Sequence, residues 1–156
     1  LFPEGEERQQ AESLAKKVVH ISEFVARSSE HPPMANTGGT TKRVTYHSSC
    51  HLRAAGVTKE PRQVLSSLPG VNFVEMQDAD RCAGGAGTYV VKNYDTSKKI
   101  FERKARAINQ SGANVVATSC PACMIQLKNG LDETVEVKHV AQLLQEAYRA
   151  AEGEKS

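Results

Sequence analysis

The sequence has 156 residues and a formal net charge of +2; 39% of its residues are hydrophobic, 24% are charged and 5% are aromatic, and it has no tryptophan. This length suits one domain with a hydrophobic core, and the balanced charge with few aromatic residues argues against nucleic acid as the main partner. No apolar run is long enough to span a membrane. Because the sequence starts at Leu1 rather than Met, we expect a piece of a longer cytoplasmic protein, which partner subunits could hold at the inner face of the membrane.

The N-terminal part predicts one helix and a linker. Across residues 6–27 apolar residues recur at spacings of three and four, which predicts an amphipathic helix with one buried face. The residues on that face are Leu14, Val18, Ile21 and Val25. Residues 28–41 are rich in proline, glycine and asparagine, which predicts a long loop. We therefore divide the chain into a helix and linker over residues 1–41 and a main domain over residues 42–156.

The main domain alternates short apolar strands with helical segments. The predicted strands are residues 44–47, 71–76, 114–118 and 135–138, and the predicted helices are residues 61–68, 95–112, 121–128 and 140–150. This alternation predicts an α/β fold with a mainly parallel sheet of about four strands and helices on both faces. Residues 98–104 interleave lysine and arginine with glutamate, which is typical of a solvated helix face.

Four cysteines come after the predicted strands. Cys50 is just beyond the first strand, and Cys82 lies in the loop beyond the second. Cys120 follows the third strand directly, and Cys123 lies one helical turn further on. Because ligand sites of parallel sheets gather at the carboxyl ends of the strands, we expect the four thiols to converge there. The helix that Pro121 begins directs free backbone N–H groups towards these thiols, which favours thiolates.

Four thiolates suit either an iron–sulfur cluster or zinc, and the spacing does not choose between them. Zinc would make the domain a structural or docking module without redox activity. A third possibility is a thiol–disulfide module, because C-P-A-C at 120–123, between a strand and a helix, resembles a thioredoxin-like motif. That hypothesis leaves Cys50 and Cys82 without a role.

Further candidate residues flank the cysteines. His47 and His51 lie on either side of Cys50 and are candidate ligands or, more simply, polar groups that surround the site. Gly84 and Gly85 come after Cys82 and would let the backbone approach a bulky cofactor without a Cβ clash. We therefore predict these four residues to be cofactor-binding.

The cysteine motifs resemble a known family. Y-H-S-S-C-H-L at 46–52, D-R-C-A-G at 80–84 and C-P-A-C at 120–123 are similar to the cysteine-rich CCG domain, whose pattern is a cysteine, then Cys-Cys-Gly, then C-x-x-C. This domain occurs, usually twice, in heterodisulfide reductase and in iron–sulfur subunits of glycolate- and lactate-oxidising enzymes. The sequence around the motifs is most similar to the glycolate/lactate type, and residues 6–27 resemble the linker before the second copy.

The resemblance implies electron transfer through an iron–sulfur cluster. It implies two partners, a flavin-containing subunit that oxidises a 2-hydroxy acid and the rest of the same iron–sulfur subunit. The chain alone is then not expected to turn over substrate. Ala83 stands where the family has the second cysteine of Cys-Cys-Gly, so the resemblance implies a four-cysteine [4Fe–4S] cluster rather than a five-cysteine one.

Overall fold

The computed structural model describes residues 4–28 and 41–153. Within these residues the chain forms eight helices and four strands. In chain order they are α1 Glu6–Ala15, α2 Ile21–Arg27, β1 Lys42–His47, α3 Cys50–Ala54, α4 Glu60–Ser67, β2 Val71–Phe73, α5 Tyr89–Lys92, α6 Tyr94–Ser111, β3 Val115–Thr118, α7 Pro121–Gly130, β4 Glu136–His139 and α8 Val140–Gly153. Most of the linker predicted over residues 28–41 lies outside the described residues.

The four strands form one parallel sheet in the order β2-β1-β3-β4. In the central pair, Val44 lies opposite Val115 and His47 lies opposite Thr118. Because β1 and β3 therefore end level with each other, the segments after them leave the sheet side by side. The α/β fold class and the parallel sheet predicted from the sequence are confirmed.

Helices α2, α4 and α8 cover one face of the sheet. β1 directs Val44 and Tyr46 to this face, and β3 adds Val115 and Ala117. Alternate residues of a strand point to opposite faces, so these four form one apolar layer. The helices complete this first core with Val25, Val64, Leu65, Leu68, Val140, Leu143, Leu144 and Ala147.

The second core lies on the opposite face, under α6 and α7. Val116 of β3 and Val137 of β4 pack there against Phe101 and Ile108 of α6 and Leu127 of α7. Since β3 supplies side chains to both cores, all four of its residues are buried. The predicted placement of helices on both faces is confirmed.

The N-terminal helix is split, contrary to the single helix predicted. α1 ends at Ala15, and α2 begins after His20, whose Nδ1 accepts a hydrogen bond from the backbone N–H of Ser22 at 3.2 Å. The Glu23 carboxylate accepts in return from the backbone N–H of His20 at 3.1 Å. This reciprocal cap starts a new helix. The sequence did not suggest it because histidine is not a common capping residue.

The predicted buried face of this segment is also wrong for three of its four residues. Leu14, Val18 and Ile21 are 65%, 72% and 40% exposed, and Val25 alone is buried, in the first core. α1 buries none of its residues. Only α2 therefore packs on the main domain.

The remaining differences are local. β2 ends at Phe73 rather than at residue 76, because Met76 leaves the sheet and is buried in the second core. The short helices α3 and α5 were not predicted. The other predicted elements agree with the structure to within about three residues at either end, which is the ordinary uncertainty of helix and strand boundaries.

Candidate metal centre

Neighbouring strands bring Cys50 and Cys120 to the same edge of the sheet. His47 and Thr118 are paired across β1 and β3, and the two cysteines follow them by three and two residues. Cys50 is exposed and is the first residue of α3, whereas Cys120 is buried and precedes α7. The parallel direction of the strands thus places both thiols at the carboxyl edge.

The loop after β2 returns to the end of β1 and carries Cys82 with it. The backbone N–H of Ser48 donates to the carbonyl oxygen of Ala79 at 3.0 Å. The ammonium group of Lys104, on α6, donates to the carbonyl oxygens of Asp78 and Ala79 at 2.6 and 3.2 Å. The loop is therefore held against the end of β1 at Ala79, three residues before Cys82.

Lys104 corrects the expectation that residues 98–104 form a solvated face. Its side chain is 2% exposed, in line with Phe101 and Ile108 on the buried side of α6. Burial lowers the pKa of Lys104 to about 8, and the carboxylates of Asp78 and Asp80 act in the opposite direction. A buried ammonium thus lies beneath the loop that carries Cys82.

The pKa of Cys123 depends on burial and on the other three cysteines. Burial raises the pKa of this thiol, and Cys120, followed by Cys50 and Cys82, raises it further. A thiolate that forms near other thiolates is disfavoured when no cation balances the charge. All four cysteines are free thiols. The strand pairing places Cys50 and Cys120 at one edge of the sheet, and the convergence of all four cysteines on one site stays a prediction.

The glycines after Cys82 bring its loop against α6 and α7. The backbone N–H of Gly84 donates to Cys82 Sγ at 3.2 Å. Gly84 has φ +88°, and a Cβ there would lie 2.6 Å from the carbonyl oxygen of Ser97, whose hydroxyl donates to the Gly84 carbonyl at 2.8 Å. A Cβ on Gly85 would lie 3.3 Å from Cβ of Gln126. The close approaches that these glycines permit are thus to the two helices, and their contact with a cofactor stays a prediction.

The two histidines differ in their surroundings. His47 is 1% exposed, and burial, followed by the charges of Lys104 and Arg53, lowers its pKa to about 3. Its Nδ1 has no hydrogen-bond partner within the described residues. His51 lies on α3 and is exposed to solvent. His47 is therefore a neutral imidazole at physiological pH, and a ligand role for either histidine stays a prediction.

In residues 4–28 and 41–153, no three His, Cys, Asp or Glu side chains are close enough together to hold a single metal ion. Cys50 and Cys120 thus share one edge of the sheet without belonging to a mononuclear site among the described residues. Close to Cys50 and Cys120 in the chain are buried hydroxyl groups, those of Ser48, Ser49 and Thr118, for which the described part of the chain offers no hydrogen-bond partner. The strand ends that carry the cysteines thus also hold hydroxyl donors without an acceptor.

Residues 44–128, which contain the ends of β1, β2 and β3 and all four cysteines, match the family described as the cysteine-rich domain, CCG. The chain belongs to the CCG family. The resemblance inferred from the three sequence motifs is thereby confirmed.

Curated relatives of this CCG domain are considerably longer proteins. The chain is 37% identical over 151 residues to a protein of Bacillus subtilis strain 168 named probable glycolate oxidase iron–sulfur subunit, and the match covers 93% of this chain and 33% of that protein. It is 35% identical over 136 residues to a fumarate reductase (CoM/CoB) subunit of Methanothermobacter marburgensis, covering 84% of this chain and 27% of that protein. Lactate utilization protein A of Bacillus subtilis strain 168 is 30% identical over 138 residues, which is 86% of this chain and 57% of that protein. The chain thus spans about a third of the length of the first two relatives.

Two features of the CCG domain were missed in the sequence. Lys104 lies at helical spacing from Phe101 and Ile108, which predicts that it shares their buried side of α6. It was assigned to the solvated face because lysine is charged. Ser48 and Ser49 directly precede Cys50, and nothing in the sequence distinguishes them from ordinary loop serines. In the part of the chain that the structure covers, no helix has the length and apolar character that a membrane span requires.

Proposed function

We propose that this CCG domain is an electron-transfer module in which Cys50, Cys82, Cys120 and Cys123 hold a [4Fe–4S] cluster. The observation that carries the proposal is the parallel pairing of β1 and β3, which places Cys50 and Cys120 at the same edge of the sheet, where the loop that carries Cys82 is hydrogen-bonded to the end of β1. A relative of high similarity, which shares 37% identity, is named an iron–sulfur subunit. Four cysteines can supply one thiolate to each iron of a cubane cluster.

The donor set fits a cluster better than it fits zinc. A tetrahedral zinc site needs its four sulfurs about 2.3 Å from one ion, hence within about 4 Å of one another. No three candidate ligands in residues 4–28 and 41–153 meet the requirement for a single ion. A cluster distributes its ligands over several irons and tolerates wider spacing. The unpartnered hydroxyls of Ser48 and Ser49 are suitable hydrogen-bond donors to sulfur atoms beside Cys50.

The four cysteines and Gly84 would each contribute to holding the cluster. When bound, the cluster would supply one-electron transfer. Cys120 would fix its buried side, and Cys50 and Cys82, which are exposed, would fix the side from which a partner can approach. The Gly84 N–H already donates to Cys82 Sγ and would stabilise that sulfur as a thiolate ligand. Electrons would therefore enter or leave on the side of Cys50 and Cys82.

The overall reaction and the partners are part of the proposal. We infer a subunit of a glycolate- or lactate-type 2-hydroxy-acid oxidoreductase, in which a flavin-containing subunit delivers electrons and the rest of the iron–sulfur subunit receives or supplies them. The names of two relatives support this substrate class, and a third relative is named for fumarate reduction. A domain that enzymes of such different reactions share would contribute electron transfer to each of them. The cytoplasmic location expected from the sequence stays a prediction.

Anaerobic reconstitution of the 156-residue chain with iron and sulfide tests the proposal. We expect about four irons and four sulfides per chain, with visible absorbance that is lost on Cys→Ser substitution at any of the four positions. Met124→Leu is the matched control, because it removes a sulfur next to Cys123 and preserves the side-chain volume. It should reconstitute like the wild type.

Other outcomes would identify the alternatives. One zinc per chain, without colour, would show a structural domain and overturn the proposal. A reversible disulfide between Cys120 and Cys123, with no metal, would indicate a thiol–disulfide module. The burial of Cys120, the first cysteine of the motif, argues against that module, because exchange requires an accessible thiolate.

A further inference from the structure

A cleft of about 600 Å³ lies beside the candidate metal centre, on the α6 side of the Cys82 loop. One wall is the outer side of α6, which contributes Arg103 and Arg106. The other wall is the loop around Arg81, and Arg53 of α3 also lines the cleft. This volume lies within the range of small-molecule sites, which is about 300–1,000 Å³.

The lining of the cleft is predominantly positive. Five basic side chains face two carboxylates; the set is Arg53, Arg81, Arg103, Lys104 and Arg106 against Asp78 and Asp80. Arg53 lies 3.8 Å from Asp80, and the exposed pair Arg81 and Asp78 is separated by 3.2 Å. Both carboxylates therefore already have a cationic neighbour, which leaves three positive charges in excess.

Two of the excess charges are available to a ligand. Lys104 directs its ammonium group at backbone carbonyls, so it adds charge but few free donors. Arg103 and Arg106 are exposed and form neither an ion pair nor a side-chain hydrogen bond with any described residue. They are three residues apart on α6, so their guanidinium groups project from neighbouring positions of one helix face.

The cleft also has an apolar surface beside these charges. Ile100 and Ala107 line it from α6, where Ile100 precedes the two arginines and Ala107 follows them. A guanidinium group binds phosphate or carboxylate oxygens through two parallel hydrogen bonds, and an apolar floor accommodates a carbon skeleton. The cleft is therefore suited to an organic anion rather than to a metal cation or an uncharged ligand.

We propose that this cleft binds a small organic polyanion, whose phosphate or carboxylate groups are held by Arg103 and Arg106 and whose apolar part lies on Ile100 and Ala107. The site is separate from the four-cysteine centre, although Cys82 borders both. Binding does not require a cluster, so this inference stands or falls independently of the proposed electron transfer.

The test is an NMR titration of the 156-residue chain, isotopically labelled and free of metal, at constant ionic strength. The probes are phenyl phosphate and trimesate, which carry phosphate and carboxylate groups on an aromatic body, and inorganic phosphate, which has no such body. We expect the amide signals of Asp80, Arg103 and Arg106 to shift in a saturable manner with the two aromatic probes. The aromatic probe that binds with the higher affinity shows whether the site prefers phosphate or carboxylate groups. Inorganic phosphate should bind more weakly than phenyl phosphate.

The variants separate a site from general charge attraction. Arg103→Gln with Arg106→Gln should weaken binding of the better probe by about tenfold or more, because charged hydrogen bonds are lost. Lys98→Gln with Lys128→Gln removes the same charge from exposed positions of α6 and α7 outside the cleft and should leave affinity within about twofold. Equal weakening by both pairs, shifts located elsewhere, or no saturable shift with either aromatic probe would overturn the proposal.

Discussion

The ammonium group of Lys104 donates a 2.6 Å hydrogen bond to the main-chain oxygen of Asp78, 26 residues earlier in the chain. A second bond, 3.2 Å long, reaches the oxygen of Ala79. Ala79 in turn accepts from the N–H of Ser48 at the end of β1. One buried lysine thus joins α6 and the central strand to the loop that carries Cys82.

We predict that Lys104→Met destabilises the chain by about 1–3 kcal/mol, because the buried carbonyl oxygen of Ala79 and the partly buried one of Asp78 lose a charged donor. Lys98→Met is the control, since Lys98 is exposed on the same helix and should change stability by no more than about 0.5 kcal/mol. Urea unfolding of the metal-free chain measures both changes. Equal stability of the two variants would mean that Lys104 does not secure the loop.

Gly84, like the carbonyls bound by Lys104, holds the Cys82 loop against α6. Gly84→Ala places a Cβ 2.6 Å from the Ser97 carbonyl in a left-handed backbone conformation. Gly87→Ala is the matched control, because Gly87 also has positive φ, at +57°, but nothing lies within 4 Å of its Cβ position. We expect Gly84→Ala to cost about 1–3 kcal/mol more than Gly87→Ala, since it adds steric overlap to a similar backbone strain.

The same pair tests how the loop serves the proposed cluster. Iron counting after reconstitution should show a greater loss of iron in Gly84→Ala than in Gly87→Ala, because displacement from Ser97 moves Cys82. If both variants bind iron and unfold alike, the contact between Gly84 and Ser97 does not position Cys82.

The fold, and the position of Cys50 and Cys120 at one edge of the sheet, could be predicted because their signals are local. Each cysteine comes after an apolar strand, and parallel strands deliver the segments beyond them to one edge. The burial of Lys104 could not be predicted, because its carbonyl partners lie in a distant segment and a lysine is rarely fully buried. The division between α1 and α2 depends on His20 as a cap, and a histidine carries little capping signal.

The buried imidazole of His47 makes stability depend on pH. Its folded pKa, lowered to about 3, lies below the value near 6.5 of an unfolded histidine. Between these pH values the unfolded chain binds a proton that the folded chain does not, so stability falls as the pH decreases from 6.5 towards 3. The contribution at pH 5 is about 2 kcal/mol.

His47→Leu removes this titration while it keeps a buried side chain. Urea unfolding gives the free energy of unfolding of wild type and variant at pH 7.5 and at pH 5. The loss between the two pH values is compared between the proteins, because the other titrating groups are common to both. We expect the wild type to lose about 2 kcal/mol more than the variant. An identical loss in both proteins would show that His47 is not neutral in the folded state.

The N-terminal segment is attached through α2. Val25 is 8% exposed in the first core, whereas Val18, which was predicted to share its face, is 72% exposed. Val25→Ala should therefore lower the free energy of unfolding by about 1–2 kcal/mol, and Val18→Ala should change it by less than about 0.5 kcal/mol. Thermal or urea unfolding distinguishes them. Equal effects would contradict the observed packing of α2.

Ala83 occupies the position where the family pattern has a second cysteine, and the structure gives its surroundings. It is 2% exposed and belongs to the second core with Phe101 and Leu127. A cysteine is only slightly larger than alanine and behaves as a small apolar residue when buried. Ala83→Cys should therefore fold with a change in stability below about 1.5 kcal/mol.

We expect Ala83→Cys to reconstitute with the same iron content and the same electron paramagnetic resonance spectrum as the wild type, because the new thiol would lie in the apolar core. Ala79→Cys, another small residue of the second core, is the control for a buried extra thiol near the loop. A changed spectrum in Ala83→Cys but not in Ala79→Cys would show that position 83 reaches the cluster. The wild-type cluster would then lack a ligand that a cysteine at position 83 can supply. Four cysteines would therefore not be the complete ligand set of this site.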